Sequence, residues 1–564
     1  MEKTKEASYS VHNPAWIGRS VPKLPEDENI AELVAASAKK WPNKTALVCY
    51  DREMSYSELD DLISRLASAL INDFGIKKGD RVATMMPNCI QHSISYFAIT
   101  RAGAVNTPIN VMYRERELEY QLNDSGAETI IALDVFLPLI QKVKDTTPLK
   151  NIIISNLRDF TAPDANIPSL LDTKKTRVEG THDLAQVLDK ASPKLPEIKI
   201  NTRWDLAQIL YTAGTTAPTP KGVMIAHFLA WSTTRTLQAI FAMDENTVDL
   251  QIMPMFHCSG FTLGQMPTLA SGGTVVHFPL FRDPKELLDF ILKYKVNVLL
   301  GPPTLYIALL NVPEVGEADM SFFKSTTSAG AHTPDYVIDK WRDMTGLTLV
   351  DGLGLTELDC GSHISGGAMN FPNRFKPNTL GLPFSALKIV DGEGNIVPRG
   401  ELGEMMFLWG GNCLKGYWNK PEETLATWTD DGWIHTGDTC YMDEDGFVIF
   451  ADRSKDIVVA SGYNVAPSEV ENEILKHPGV FEVAVVGVSD PYRGETLKAF
   501  VVLKEESKGK VTGQEITDFC KDKMATFKVP RQVEFIDAIP KNPVGKVLRR
   551  ELRDRESKAK AKEA

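Results

Sequence analysis

At 564 residues the chain is too long for a single hydrophobic core, so several domains or subdomains are expected. Hydrophobic residues at 43% and charged residues at 24% describe an ordinary soluble globular protein, which excludes a disordered or fibrous chain. A formal net charge of −12 excludes broad binding to nucleic acid or to an anionic membrane. The first residues, MEKTKEASYSVHNPAW, lack the apolar stretch of a signal peptide, and no apolar run of about 18 residues is found, so no membrane span is expected. The chain ends KEA, which is not an SKL address. Its seven cysteines form no CxxC pair, so their spacing points to neither a zinc site nor a disulfide framework. Reduced thiols and a cytoplasmic protein are the expectation.

Taken in order, the runs TALVCY (45–50), RVATMM (81–86), ETIIAL (128–133), NIIISN (151–156), LAQILY (206–211), GTVVHF (273–278) and VNVLLG (296–301) read as buried strands. Helical patterns such as SYSELDDLISRLASALIND and RERELEYQLNDSG lie between them. This alternation predicts an α/β protein with largely parallel sheets. Residues 157–203 are polar and read as an excursion between two α/β units. Beyond about 380 the pattern changes to short strands split by glycine turns, as in ALKIVDGEGNIV, GELGEMMFLW and GFVIFADR, the signature of a small antiparallel unit. DRSKD (452–456) then breaks the apolar pattern and is taken as a boundary. A compact α+β unit of about 100 residues is predicted after it. The last 24 residues carry nine basic and four acidic side chains and read as a frayed, solvated tail with a minor potential for attracting a polyanion.

Several short stretches carry polar chemistry. YTAGTTAPTPKGV (211–223) follows a strand and gathers hydroxyls, glycine and Lys221. Such a loop can hold phosphate through backbone N–H groups, hydroxyls and a lysine charge, or it can be a plain surface loop. It does not fit GxxxxGK[ST], because Gly222 follows Lys221. DGLGLTEL (351–358), DGWIHTGD (431–438), ADRSKD (451–456), SGYNVAPSEVE (461–471) and PKNPVGK (540–546) complete the set. Each alone reads first as a turn or a helix cap.

In this order and spacing, and together with GAVNTPINVMYRERELEYQLNDSGAE (103–128) and GYWNKPEETLATW (416–428), these stretches resemble the adenylate-forming superfamily of acyl-CoA synthetases, adenylation domains and luciferases. The resemblance runs from about residue 30 to 552 and is greatest to fatty-acyl ligases. It implies a large N-terminal domain (1–451) of two α/β subdomains plus a distorted β-barrel, a hinge at 452–456 and a small mobile α+β domain (457–564). The implied reaction joins a carboxylic acid to ATP, giving acyl-AMP and pyrophosphate, and then passes the acyl group to coenzyme A, with Mg²⁺ as the metal.

The resemblance also implies roles. The loop 211–223 corresponds to the family's phosphate loop, with Thr212, Gly214, Thr215, Thr216, Lys221 and Gly222 matching, Ala213 and Ala217 departing, and one residue inserted before Pro220. Gly330, Ala331, Asp351, Gly352 and Leu353 match the adenine walls, with Leu353 where relatives commonly carry an aromatic. Thr356 is an implied α-phosphate donor, and Glu357 with Thr215 the implied Mg²⁺ ligands. Asp438 matches the ribose ligand and Arg453 its partner. Lys546 matches the lysine that bridges carboxylate and α-phosphate. Lys455 is the implied pivot, and Ser461, Gly462 and Tyr463 face CoA.

MPMFHCSGF (253–261) stands where the acyl pocket begins in relatives. His257 and Phe261 are its candidate lining residues, with core packing as the alternative. The stretch offers no carboxylate to pair a substrate ammonium, and an unpaired buried ammonium is costly, so a plain carboxylic acid is favoured over an amino acid. Three other readings stay open: an acyl-AMP ligase that loads a carrier protein, an aryl-acid CoA ligase, and a non-catalytic nucleotide- or acyl-binding relative. The sequence sets no oligomeric state, and a dimer is compatible with it.

Overall fold

The computed structural model describes residues 28–175, 178–212, 220–360, 376–377, 379–381, 386–409, 414–460, 463–490, 494–542 and 545–563. Two seven-stranded sheets form its frame. In the first, the strands Arg81–Met85, Val105–Pro108, Thr129–Leu133, Asn151–Ser155 and Leu206–Tyr211 pair in parallel, and Gly222–Ala226 adds an antiparallel edge. The second is built alike: Thr45–Cys49, Val248–Gln251, Thr274–His277, Val298–Gly301, Ser325–Ala329 and Leu349–Gly352 are parallel, and Arg52–Ser55 is the antiparallel edge. All seven quoted apolar runs are strands of these sheets. They are nearly continuous apolar stretches because helices cover both faces of a parallel sheet.

Helix Ile90–Arg101 shows how the two sheets share a core. All twelve of its residues are buried, so it has no polar face to present to water. Helix Tyr56–Asn72 is amphipathic instead, capped by the Ser55 hydroxyl on the Glu58 N–H. One cluster runs from Ile30 through both helices to the strands of both sheets and on to the third sheet. The polar excursion 157–203 returns one short edge strand, His182–Asp183, and the helix Leu184–Lys190 to the first α/β unit.

The glycine-split strands beyond 380 form a four-stranded antiparallel sheet in chain order: Leu387–Val390, Gly403–Leu408, Trp433–Met442 and Val448–Arg453. DGWIHTGD therefore enters the longest of these strands. The last unit carries a five-stranded sheet, dominated by the long antiparallel pair Val480–Asp490 and Gly494–Leu503 and packed by helices Pro467–Leu475 and Gly513–Lys521.

One expectation fails here. The basic C-terminal stretch is not a frayed tail: Arg549–Glu563 is a helix whose inner face is tied down. Leu552 is buried against Val486 and Phe500. Arg549 grips Glu471 with both oxygens at 2.7 and 2.8 Å, Arg553 meets Asp456 at 2.9 Å, and Lys498 meets Glu556 at 2.5 Å. The partners lie 58 to 97 positions away in sequence, so composition alone misread the charges.

Candidate active site

Two parallel strands set one wall of the site. Register aligns Ser328 with Asp351 and Ala329 with Gly352, so both strands end side by side. Ligands of open parallel sheets bind at such carboxyl ends. Gly330 turns the chain away with φ +92°, a conformation that favours glycine. A Cβ on Gly352 would come within 3.3 Å of the Ser328 carbonyl oxygen, so the bare backbone keeps the strand ends close. Asp351 is buried and fully engaged: it accepts from Thr333 Oγ1 at 2.7 Å and pairs with His332 Nδ1 at 2.9 Å. Burial disfavours the charged imidazole, but the carboxylates of Asp351, Asp335 and Asp452 outweigh it and raise His332 above its ordinary pKa. The His332 ring lies 5.2 Å from that of Phe450.

The opposite wall comes from the antiparallel sheet. Asp438 and Arg453 face each other in register, and Arg453 Nε lies 3.1 Å from Asp438 Oδ1. The second oxygen, Oδ2, is buried and has no hydrogen-bond partner among the described residues. A buried carboxylate oxygen without a donor is costly. A vicinal diol at this point would satisfy it, and the arrangement therefore fits a ribose.

Lys546 enters this cavity from the C-terminal unit. It sits on a tight loop: its N–H donates to Asn542 Oδ1 at 2.8 Å, and Gly545 N–H donates to the Asn542 carbonyl at 2.9 Å. Gly545 has φ +78°, and a Cβ there would lie 2.9 Å from Thr304 Oγ1 and 3.0 Å from Pro302 Cβ. The loop thus touches the N-terminal unit closely enough to require glycine. Burial, reinforced by the cations of Arg453, Lys455 and Arg549 and only partly opposed by Asp438, lowers the Lys546 pKa to about 7. A site that depresses an ammonium so far is one that an anion would complete.

Gly330, Ala331, Asp351, Gly352, Leu353, Asp438, Arg453 and Lys546 all line this one cavity. Sequence reasoning missed His332, Phe450, Asp452, Glu471 and Arg549, which line it too. Asp452 and Glu471 stand in the stretches ADRSKD and SGYNVAPSEVE without being singled out there, because the partners that give these residues a role lie on other elements.

Glu357 and Thr356 stand on a single 3₁₀ turn, Thr356–Leu358. Tyr417, from the GYWNKPEET stretch, donates to Glu357 Oε1 at 2.6 Å. Lys221 Nζ lies over the Tyr417 ring at 4.6 Å. Lys221 and Thr212 clasp each other at the base of the 211–223 loop, with Thr212 N–H on the Lys221 carbonyl at 2.9 Å and Lys221 N–H on Thr212 Oγ1 at 3.2 Å. Tyr417 is thus shared by Glu357 and Lys221: its hydroxyl meets Glu357 and its ring face meets Lys221. Gly214, Thr215 and Thr216 lie outside the described residues, as do Ser461 and Gly462. Tyr463 opens the short strand Tyr463–Val465. Lys455 falls in the turn directly after the strand that carries Arg453, and burial together with Arg453 and Arg553 lowers its pKa.

On the acid side, a π-helix spans Ser259–Gln265. Such helices are rare and concentrate at functional sites. Its start is forced tight: a Cβ on Gly260 would fall 2.2 Å from the Pro254 carbonyl oxygen. His257 is half-buried, and its Nδ1 lies 2.8 Å from Ser259 Oγ. Phe261 is fully buried; its ring centroid is 3.6 Å from that of Tyr96 and 5.5 Å from that of Phe97. A buried carboxyl that the local stretch did not reveal, Asp359, accepts from Thr262 Oγ1 at 2.9 Å and Gln208 Nε2 at 3.1 Å. Burial raises its pKa well above its ordinary value, against the opposing pull of those two hydrogen bonds.

Comparison with known proteins decides the family. A model of the AMP-binding enzyme family matches residues 34–418, and a model of the AMP-binding enzyme C-terminal domain matches residues 469–546. The chain belongs to the AMP-binding enzyme family. Among its relatives, the long-chain-fatty-acid–CoA ligase of Bacillus subtilis is 36% identical over 560 residues, covering 96% of this chain and 98% of the relative. The feruloyl-CoA synthase of an Amycolatopsis species is 33% identical over 522 residues, covering 92% and 97%. The crystal structure of an anthranilate CoA ligase in complex with anthranoyl-AMP superposes with a TM-score of 0.87 at 28% identity, covering 96% of this chain and 99% of that one. The expected fold is borne out: a large N-terminal domain of α/β sheets and a separate C-terminal domain with a small sheet. AMP-binding enzymes of this kind are AMP-forming acid–CoA ligases that use ATP, Mg²⁺ and CoA.

The described residues fit those substrates. The cavity offers one unsatisfied buried oxygen for a ribose and one depressed lysine for an anion. The carboxylate of Glu357 is the kind of hard donor Mg²⁺ takes.

Proposed function

We propose that this AMP-binding enzyme activates a carboxylic acid, a fatty acid foremost, as its acyl-adenylate and transfers it to CoA. One observation carries the residue assignment: Asp438–Arg453, the strand-end residues Gly330, Ala331 and Gly352, and Lys546 line one cavity although they come from two sheets and a loop of the C-terminal domain. Asp438 Oδ2 accepts from a ribose hydroxyl, with Arg453 fixing the carboxylate in place. The walls at Gly330, Ala331, Asp351, Gly352 and Leu353 take the adenine. Thr212, Gly214, Thr215, Thr216 and Lys221 hold phosphates, and Thr356 donates to the α-phosphate.

Attack of a carboxylate on the α-phosphate brings two anions together, so the barrier is largely electrostatic. Lys546, a compact charge on a long stem, lies between them and lowers that repulsion. Bound at Glu357 and Thr215, Mg²⁺ supplies further charge neutralisation. Tyr417 holds Glu357 in one orientation through its hydroxyl.

The small domain from 457 onward pivots at 452–456, with Lys455 at the turn, to exchange Lys546 for the Ser461–Tyr463 segment when CoA arrives. The polar contacts across this joint support it. Asp452 accepts from Ser468 N–H at 3.0 Å and lies 3.7 Å from Arg549, whereas the next residue, Arg453, is held by Asp438 of the large domain. The end of strand Val448–Arg453 thus ties the two bodies together: Arg453 is held by the large domain, while Asp452, paired with Thr439 in the same sheet, also reaches the small one. The acyl group lies along His257 and Phe261, and the aromatic surroundings of Phe261 with the feruloyl-CoA synthase relative favour an aryl acid as the second reading. The six described cysteines are all buried and unpaired, which supports the cytoplasmic compartment. Carboxylate-dependent ATP–pyrophosphate exchange over a panel of alkyl and aryl acids tests the reading. Exchange with a fatty acid and CoA-dependent thioester formation are expected, and no exchange with any acid would leave a binding-only protein.

A further inference from the structure

Beside His257, where the acyl group is proposed to lie, stands a pair of thiols that the reaction does not use. His257, Cys258 and Cys360 each offer a ligand atom, and these atoms all lie within 4.8 Å of one another. Cys258 and His257 are neighbours in the chain, with Cys258 Sγ 3.6 Å from His257 Nδ1. Cys360 arrives from about a hundred residues away, and the backbone strains to deliver it. Asp359 and Cys360 are consecutive non-glycine residues in the left-handed region, at φ +49° and +55°. Such conformations are costly for residues with a side chain and persist only where the surroundings enforce them. The enforcement is visible: the Asp359 carboxyl is clipped to Thr262 of the π-helix and to Gln208, and the Cys360 N–H donates to the Leu355 carbonyl at 2.8 Å.

We propose that His257, Cys258 and Cys360 form a binding site for a soft divalent cation of the zinc class, and that its occupancy inhibits acid activation. Two thiolates and an imidazole are the donor set such ions prefer, with a fourth position left for solvent. At zinc–sulfur and zinc–nitrogen distances near 2.3 and 2.0–2.1 Å, closure needs the side chains to draw together by about 1 Å. Binding displaces whatever protons the two thiols carry, and these leave as H⁺ to solvent. Access is through His257, which is half-buried while both cysteines are buried. Magnesium does not compete, because it prefers oxygen donors and octahedral geometry.

The inhibition follows from where the cluster sits. Cys258 Sγ is 3.8 Å from Thr356 Oγ1, and Thr356 shares its turn with Glu357. An ion at this point ties the start of the π-helix to the turn that carries both residues. It also pulls Cys258 and Cys360 together beneath Thr356. This part rests on carboxylate activation at the same site; the binding itself does not.

The test uses the full chain, washed with chelator and held in excess Mg²⁺. Cd²⁺ alone is titrated in, and the ultraviolet thiolate-to-cadmium absorption is followed. The wild type is expected to develop the band at one ion per chain, and Cys360→Ser and Cys258→Ser to require at least about tenfold more Cd²⁺. No band in the wild type, or a Cys360→Ser chain that binds as tightly as wild type, overturns the site. X-ray absorption of the zinc-loaded wild type answers without any variant: two sulfurs and an imidazole nitrogen are expected, and fewer than two sulfurs refute it. Zinc inhibition of pyrophosphate exchange should then shift its midpoint at least about tenfold upward in Cys360→Ser. An unchanged midpoint refutes the inhibitory role. A band without any exchange activity would instead count against acid activation and leave the metal site standing.

Discussion

The half of the site proposed for the nucleotide and the half proposed for the acid are built by different physics. The nucleotide half rests on strand register. Asp438 faces Arg453 and Ser328 faces Asp351 because the strands pair there, and each polar group has a fixed partner or one open valence. The acid half rests on packing. Phe261 lies on a π-helix and is closed in by Tyr96 and Phe97, with polar groups such as Asp359 held beneath. Register specifies a geometry that tolerates little change, whereas packed side chains can be exchanged while the fold is kept. The same nucleotide chemistry can therefore serve many acids.

The sharpest way to break the comparison is at Glu357. Glu357→Ala removes the carboxylate that Tyr417 orients, and pyrophosphate exchange should fall by about 10²–10³ or more with every acid. A loss confined to some acids would place Glu357 in the acid half. Asp438→Asn is next. It removes a charge-assisted bond worth about 1.5–3 kcal/mol, so KM for ATP should rise about 10- to 100-fold, while the ranking of acids stays unchanged.

Smaller in size but specific in sign is the pH dependence. In its proposed role Lys546 acts in the protonated form, and burial lowers its pKa to about 7. Activity of the free enzyme is therefore present below that value and lost as pH rises through it. The kcat/KM for ATP should decline above about pH 7, and bound ATP, adding negative charge, should move the limb seen in kcat to higher pH. Lys546→Arg should abolish the limb in kcat/KM, because arginine does not deprotonate in this range. A limb unchanged in that variant would belong to another group. On the acid side, Phe261→Ala should shift the preferred acid while leaving KM for ATP within about twofold. It should also lower stability by about 3–5 kcal/mol, as for other buried aromatics. A changed KM for ATP with the same preferred acid would reverse the two halves.

The same contrast explains what could be read from the sequence. All seven apolar runs became strands, because a buried parallel strand needs a continuous apolar stretch that is visible locally. Asp438, Arg453 and Lys546 stood in short motifs and meet in the cavity. His332, Phe450 and Arg549 did not, and Glu471, which ends SGYNVAPSEVE, was not singled out there, since each gains meaning only from a partner on another element. The C-terminal helix was misread for the same reason: its arginines look solvated until Glu471 and Asp456 are placed opposite them. Phe261 was legible as a position but not as a packed ring, because its neighbours Tyr96 and Phe97 lie far away in sequence.

The central claim is that Lys546 serves the meeting of two anions and nothing later. Its most direct test measures both half-reactions of Lys546→Ala on the same preparation. Adenylation from the free acid is predicted to fall by about 10²–10³. Thioester formation from supplied acyl-AMP and CoA is predicted to stay within about threefold of wild type. Equal loss in both half-reactions would contradict the account.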